Sequence, residues 1–314
     1  MVEVADGVLR VTFGLPLGID HVHCYVVRAS DGAWTLVDTG LGRSDPEAVW
    51  APLLAQLDGP VERIVVTHLH PDHVGGAADV AALTGARVLQ GRLDHEQALA
   101  AWGDPDGPAR SAAHLLHHGM PPEHAHELAE QGRLLRERVR VVSDVELLDE
   151  GDEVDGWRVL ELPGHADGHV ALFRDGVLLA GDTVLGRITP TVGLYQQSRA
   201  DPLGDYLASL ERIAALGARV AFAGHEQPID DVAGRVAELQ RHHAERLDEA
   251  AAALAPEPRT AYDLSLRLFD PGLPLVQRRF AVAETLAHLE RLVAEGRAAR
   301  AEVDGRPAYR RPAP

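Results

Sequence analysis

The chain has 314 residues, 46% of them apolar and 25% charged, which is the composition of a folded globule of one large domain or two and excludes a disordered or collagen-like chain. Its formal net charge of −18, from 30 cations and 48 acids, opposes a polyanionic partner and argues against a generic nucleic-acid binder. Cys24 is the one cysteine, so an intrachain disulfide framework and a Cys-rich zinc module are both excluded.

Every cation is Arg, a compositional bias rather than a chemical signal. No apolar run approaches the ~18 residues of a membrane span, so no membrane partner is expected. The first residues, MVEVADGVLRVTFG, have neither a basic nor an apolar leader segment, and the expected location is the cytoplasm. The charge is uneven: residues 1–258 balance at −21 and residues 259–314 at +3.

The first stretch reads as β, with short apolar runs over Val8–Phe13, Cys24–Val27 and Trp34–Val37 cut by turns such as Asp31-Gly32. Asp45–Leu57 reads as a helix capped by Ser44 or Asp45, opened by Pro46 and stopped by Gly59-Pro60. Arg63–Thr67 is a buried type of strand, Gly75–Leu83 a helix and Arg87–Gln90 a strand, an alternation that implies a layered α/β fold. Residues 94–140 break the rhythm as two or three inserted helices. Strands are expected again at Val139–Val142, Trp157–Leu162, Ala171–Arg174, Val177–Ala180 and Arg219–Ala223, with helices over Leu203–Leu216 and Val232–Leu254. Past Pro256 and Pro258, helices over Thr260–Phe269 and Val276–Ala294 precede a hairpin turning at Asp304-Gly305. The expected division is therefore a body over 1–255 and a small winged-helix-like unit over 259–314.

The chemistry concentrates in Thr67-His68-Leu69-His70-Pro71-Asp72-His73, directly after an apolar strand and before Val74-Gly75-Gly76. Neutral imidazoles and a carboxylate suit Zn²⁺, Fe or Mn, and four candidate donors in one loop exceed what one open catalytic ion takes. Two divalent ions and further donors are expected. His165 in LPGHADGH, Asp182 in LLAGDT and His225 in AFAGH each follow an apolar strand with Gly directly before them. That is where ligands gather in an α/β sheet.

H-x-H-x-D-H followed in order by Gly-His, Gly-Asp and Gly-His resembles the metallo-β-lactamase-fold hydrolase superfamily over roughly residues 5–230. Val37-Asp38-Thr39-Gly40 matches the D-T-G turn of that family. The ending resembles members with a C-terminal winged-helix domain, among them lactamase-like endoribonucleases. The resemblance implies a four-layer αβ/βα sandwich with metals at one edge. It implies that His68, His70 and His165 bind one ion, that Asp72, His73 and His225 bind a second, and that Asp182 bridges them with a hydroxide between. Asp72 is the implied catalytic residue, orienting the nucleophile or taking its proton. The insertion at 94–140 departs from the minimal family fold.

The substrate is open. A thioester or ester, as in glyoxalase II-like relatives, is weighed against a phosphodiester, β-lactam cleavage and a redox use of iron. A non-enzymatic DNA- or protein-binding regulator is the reading from a different class. The negative body favours a small-molecule substrate over RNA, and a homo-oligomer fits the same data. Trp102, Leu115, Leu116, Met120, Leu128, Leu134 and Leu135 form either an apolar lid for an acyl chain or else the core of the insertion or a dimer face. Asp38 reads equally as a brace for a donor loop or a turn residue, and His169 equally as a contact of the site or a packed histidine. His21 and His23 read as loop histidines over lining of the pocket, and His242 and His243 as a solvated helix face from which one at most reaches the site. His114, His117, His118, His124 and His126 read as insertion surface, and Cys24 as core.

Overall fold

In a computed structural model, which describes residues 1–16 and 18–313, two β-sheets lie face to face with helices outside both. Leu17 and Pro314, the last residue of the expected tail unit, lie outside the described residues. The first sheet runs β1 (Val2–Ala5), β2 (Val8–Gly14), β3 (His21–Arg28), β4 (Trp34–Val37), β5 (Val61–Val66), β6 (Arg87–Gly91) and β7 (Glu146–Leu148) in spatial order. It is antiparallel up to β4 and parallel from β4 to β7. The second sheet holds β8 (Glu153–Val154), β9 (Trp157–Glu161), β10 (Val170–Arg174) and β11 (Val177–Gly181) in antiparallel pairs, and β12 (Val220–Ala223) joins parallel to β11.

Period-two alternation explains the layers. In β3 and β5, Tyr25, Val27 and Val65 face inward and meet Trp157, Val159, Leu172 and Phe222 of the second sheet. Cys24, Val26, Ile64 and Val66 face outward, where Trp50 of α1 (Pro46–Leu54) and Val80 of α3 (Ala77–Thr84) cover them. The outer face of the second sheet, with Leu160, Leu178 and Ala221, is covered by Leu203, Tyr206 and Leu210 of α7 (Pro202–Ala215) and by Val236 and Leu239 of α8 (Val232–Ala253). The result is the expected four-layer αβ/βα sandwich. Asp45 rather than Ser44 caps α1, accepting the Ala48 N–H at 3.0 Å.

The β6–β7 crossover carries α4 (Arg92–Ala98), a π-helical turn (Leu99–Gly103), α5 (Gly107–His117) and α6 (Pro122–Arg136). Two expectations for this region are corrected. Val139–Val142 form no strand: Arg140 N–H donates to Gly75 O, and its carbonyl accepts from Ala78 N–H, so the backbone pairs with Gly75 and the first turn of α3 instead of a sheet edge. The strand is β7, six residues later. Leu115, Met120 and Leu128 are not a lid either; they join the core beneath the second sheet, while Leu134 is 66% exposed.

The tail adds α9 (Ala261–Leu268), α10 (Leu275–Ala294) and the hairpin β13 (Ala299–Val303) and β14 (Arg306–Arg310). Asp304 and Gly305 both have positive φ, as a tight hairpin turn needs. Leu264, Leu286, Leu289 and Leu292 share one core with α7 and α8. His118, read as insertion surface, is buried, and its carbonyl accepts the Tyr262 N–H at 3.1 Å, joining the insertion to α9. His243 is also buried, against the rings of Tyr206 and His288, and not on a solvated helix face. Among the described residues no helix is long and apolar enough to cross a membrane.

Candidate metal centre

The donors lie where strands end. His68 follows β5, His165 follows β9, Asp182 follows β11 and His225 follows β12. His70, Asp72 and His73 sit at and within the short α2 (Pro71–Val74), whose single turn brings three side chains of one hexapeptide to one point. Three overlapping groups result, with donor atoms all within 4.8 Å of one another: His68, His70 and His165; His68, His73 and Asp182; Asp72, His73 and His225. Asp182 Oδ2 is central, at 3.1 Å from His225 Nε2, 3.5 Å from His73 Nε2 and 3.8 Å from His165 Nε2. Asp72 Oδ2 lies 3.4 Å from His225 Nε2. All seven residues singled out in the sequence therefore meet.

A second layer of hydrogen bonds turns the Nε2 atoms inward. His73 Nδ1 donates to Asp38 Oδ2 at 2.8 Å, His165 Nδ1 to Thr191 O at 2.8 Å and His225 Nδ1 to His21 O at 2.6 Å. Bonds of this kind set the tautomer and orientation of a metal-binding imidazole. Asp38 also accepts from Thr67 N–H and Thr67 Oγ1, both at 2.8 Å, and holds a φ of 62° to do so. It braces the donor loop. His169 is the second resolved case: it stacks on His68, and its Nε2 accepts the backbone N–H of Asp182 at 3.1 Å. His21 and His23 lock the His225 loop, His21 Nε2 accepting from Glu226 N–H and His23 Nε2 donating to Glu226 O.

The centre shows the demand for cations in its own polar atoms. His73 Nε2, His165 Nε2 and Asp182 Oδ1 are buried without a hydrogen-bond partner. Such orphans are costly unless something fills the space between them. A Cβ on Gly224 would stand 2.4 Å from Asp182 Oδ1 and 2.5 Å from His73 Cε1, so only Gly lets that backbone pass under the donors. Burial works against charge on every histidine here, and it holds His68 and His165 low and His70 at about 3. At His73 and His225 the same burial is outweighed by the carboxylates, chiefly Asp182, which raise His225 to about 10. Asp38, Asp72 and Asp182 have no arginine partner among the described residues, so their charge is left for histidine protons or bound ions. The donor set and its charge fit divalent metal ions.

Thr191, Glu226, Asp94 and Trp102 support the centre but carry no sequence signal for that role, because each acts through contacts far away in the chain. Trp102 reads from the sequence only as lid or insertion core. Its indole N–H donates to Leu69 O at 2.7 Å, inside the H-x-H motif.

A family profile described as "Metallo-beta-lactamase superfamily" matches residues 17–225, and one described as "Metallo-beta-lactamase-like, C-terminal domain" matches residues 247–312. The chain is 27% identical over 309 residues to "Probable metallo-hydrolase YqjP" of Bacillus subtilis (strain 168), covering 92% of this chain and 93% of that protein. It is 30% identical over 233 residues to a hydroxyacylglutathione hydrolase of Pseudomonas putida (strain W619), covering 69% and 70%. Among solved structures, a metallo-beta-lactamase family protein from Thermus thermophilus superposes with a TM-score of 0.84 at 39% identity, covering 99% of this chain and 100% of that one. A beta-lactamase domain protein from Burkholderia ambifaria gives 0.89 at 31% identity, covering 99% and 94%.

Proposed function

Because the chain belongs to the metallo-beta-lactamase superfamily, we propose that it is a metallo-hydrolase with two divalent ions, zinc by preference, acting on a thioester or ester. The observation that supports this reading is the overlap of three donor groups through His68 and His73, the arrangement that two neighbouring ions with shared surroundings would use. In this reading His68, His70 and His165 hold one ion, Asp72, His73 and His225 hold the other, and Asp182 serves both. Bound divalent cations would polarise a substrate carbonyl and lower the pKa of water from about 15.7 to ~7.

The protein's own groups do the rest. His70 and Asp72 are the half-buried members of a set otherwise buried, so substrate approaches from their side. Asp72, half-buried with Oδ2 at 3.4 Å from His225 Nε2, is the carboxylate that would accept the proton released as water adds to the carbonyl. Asp38, Thr191 and His21 accept from the Nδ1–H groups of three histidines, a tautomer in which the Nε2 lone pairs are the ones left for bound ions. The thiolate of a thioester leaves without an acid, and no further proton donor is required.

The arginines of the tail favour this substrate class over RNA. Arg278 donates to Ser265 O and Asp270 O, Arg297 to Asp248, Arg300 to Glu290 and Arg311 to Leu254 O. Arg278 is buried, and Arg297 and Arg300 hold exposed ion pairs that a phosphate would have to displace. The hydroxyacylglutathione hydrolase relative points the same way. We read residues 1–255 as the catalytic body and 259–314, winged-helix-like, as a unit docked on it.

The test compares acyl thioesters with short single-stranded RNA at matched zinc loading, with Asp72→Ala as control. Thioester hydrolysis lost in the control supports the reading. RNA cleavage that exceeds it, disappears in the control and weakens steeply with salt would replace it with a ribonuclease. A zinc-supplemented preparation that binds no metal would remove the enzyme reading altogether.

A further inference from the structure

The loop that carries His68 and His70 is gripped from outside at a single residue. Leu69 lies between the two histidines. Its N–H donates to Asp94 Oδ1 at 2.9 Å, and its carbonyl accepts from Trp102 Nε1 at 2.7 Å. The peptide groups on both sides of the Leu69 Cα are thus held, and these are the two peptide groups that separate His68 from His70. Resting on the reading of these histidines as metal donors, we infer that α4 and the π turn behind it position this arm of the centre, with Asp94 and Trp102 setting the bite of the His68–His70 pair.

Three features show a built device rather than incidental contact. Asp94 is fully buried, and its second oxygen accepts from Gln90 Nε2 at 2.5 Å, so a carboxyl group is kept in the interior with both oxygens employed. Trp102 stands on a π turn, a rare geometry that re-aims side chains and clusters at functional sites. That turn is pinned by Arg110, which donates to Ala100 O at 2.9 Å and to Asp104 Oδ2 at 2.8 Å. The same helix also meets the other donor loops. A Cβ on Gly168 would stand 2.2 Å from Asp94 N, so the His165–His169 segment rests directly on the start of α4. Gln97 Nε2 donates to Asp167 Oδ2 at 2.7 Å and to Gln197 O at 2.9 Å, on the loop whose Thr191 carbonyl holds His165. The start of the insertion is therefore a brace shared by three loops.

Among the described residues Asp94 and Trp102 hydrogen-bond to the Leu69 backbone and not to the His68 or His70 side chain, so they are positioning residues. The variants are Asp94→Ala, Asp94→Asn and Trp102→Phe in the full chain. Zinc affinity is read by chelator competition, donor geometry by the visible absorption of the cobalt(II)-loaded protein, and scaffold effects by thermal unfolding of the ion-free protein. Asp94→Ala is expected to weaken one ion by about 10–100-fold, the range for removing an outer-shell partner. Asp94→Asn keeps an acceptor for Leu69 N–H and restores most of that affinity. Trp102→Phe keeps the ring, loses the donor, alters the cobalt spectrum and weakens zinc in the same direction, with ion-free stability near wild type. Should Asp94→Ala fail to fold, Trp102→Phe decides alone. Wild-type affinity and cobalt spectra in Trp102→Phe and in either folded Asp94 variant would overturn the inference. A wild-type chain that takes up neither zinc nor cobalt fails the metal reading itself and this inference with it.

Discussion

Asp38 and His73 stand 35 positions apart and meet at 2.8 Å, carboxylate Oδ2 to imidazole Nδ1, at the buried end of the first sheet. The same carboxylate receives both polar hydrogens of Thr67, the residue just before His68. One aspartate thus orients an imidazole of the second donor group and anchors the strand end that launches the first.

Asp38→Ala is expected to lower zinc affinity by about 10–100-fold, since it frees the His73 ring and the Thr67 backbone together. Asp38→Asn should fall between, because it can still accept from Thr67 but presents an N–H toward His73. Chelator competition ranks the three proteins. Equal affinities would make Asp38 a turn residue with no bearing on the donors.

Asp182→Ala is expected to abolish turnover and reduce metal content toward one ion per chain. Asp182 Oδ2 lies within 3.8 Å of three histidine Nε2 atoms, so it is the carboxylate placed to offset the repulsion of two cations there. Metal analysis beside circular dichroism separates this from unfolding. Two tightly held ions in a folded, active variant would exclude a shared role.

Acid should weaken the packing between α8 and α10. His243 and His288 are buried face to face between α8 and α10, and burial depresses them from the ordinary 6.5 to about 3 and about 4. A histidine kept neutral in the fold favours it fully above pH 6.5. That contribution is lost as pH falls from there toward 3, because the unfolded chain takes the proton first. In the ion-free protein, the unfolding temperature should fall over this window. His243→Leu should fall less steeply, and parallel curves would assign the acid response elsewhere.

Leu286→Ala is expected to cost about 2–5 kcal/mol, the range for a fully buried leucine that leaves a cavity. Leu286 is 0% exposed in the core shared by the tail with α7 and α8. Denaturant unfolding should show one transition shifted as a whole. A separate early transition of unchanged main midpoint would mean the tail unfolds independently of the body.

Much was legible because it is local. Apolar runs set β4 to β6 and β9 to β12 within a residue or two, β3 begins three residues before the expected Cys24, and Asp45 and Pro46 mark the start of α1. H-x-H-x-D-H announced itself because a strand end and one helical turn suffice to converge four side chains. The expected strand at Val139–Val142 failed because apolar residues flanked by Arg satisfy a strand pattern equally well when the backbone finds partners in a loop.

The lid failed for a related reason. Leu115, Met120 and Leu128 are spaced as a helix face, and spacing does not say which surface that face meets. Only the packing put them beneath the second sheet and against the tail.

The sequence by itself determined the donor types, their order and the strand after which each appears, because those follow from side-chain chemistry and short-range backbone periodicity. The tertiary structure alone decided which Nε2 atoms converge on Asp182, that Thr191 and His21 contribute through their carbonyls, and that Asp94 and Trp102 hold Leu69. Backbone carbonyls have no residue code, and a hydrogen bond between residues 25 or 33 positions apart leaves no period in the chain. Such partners are fixed only when the sheets stack and the crossover helices close over the donor loops.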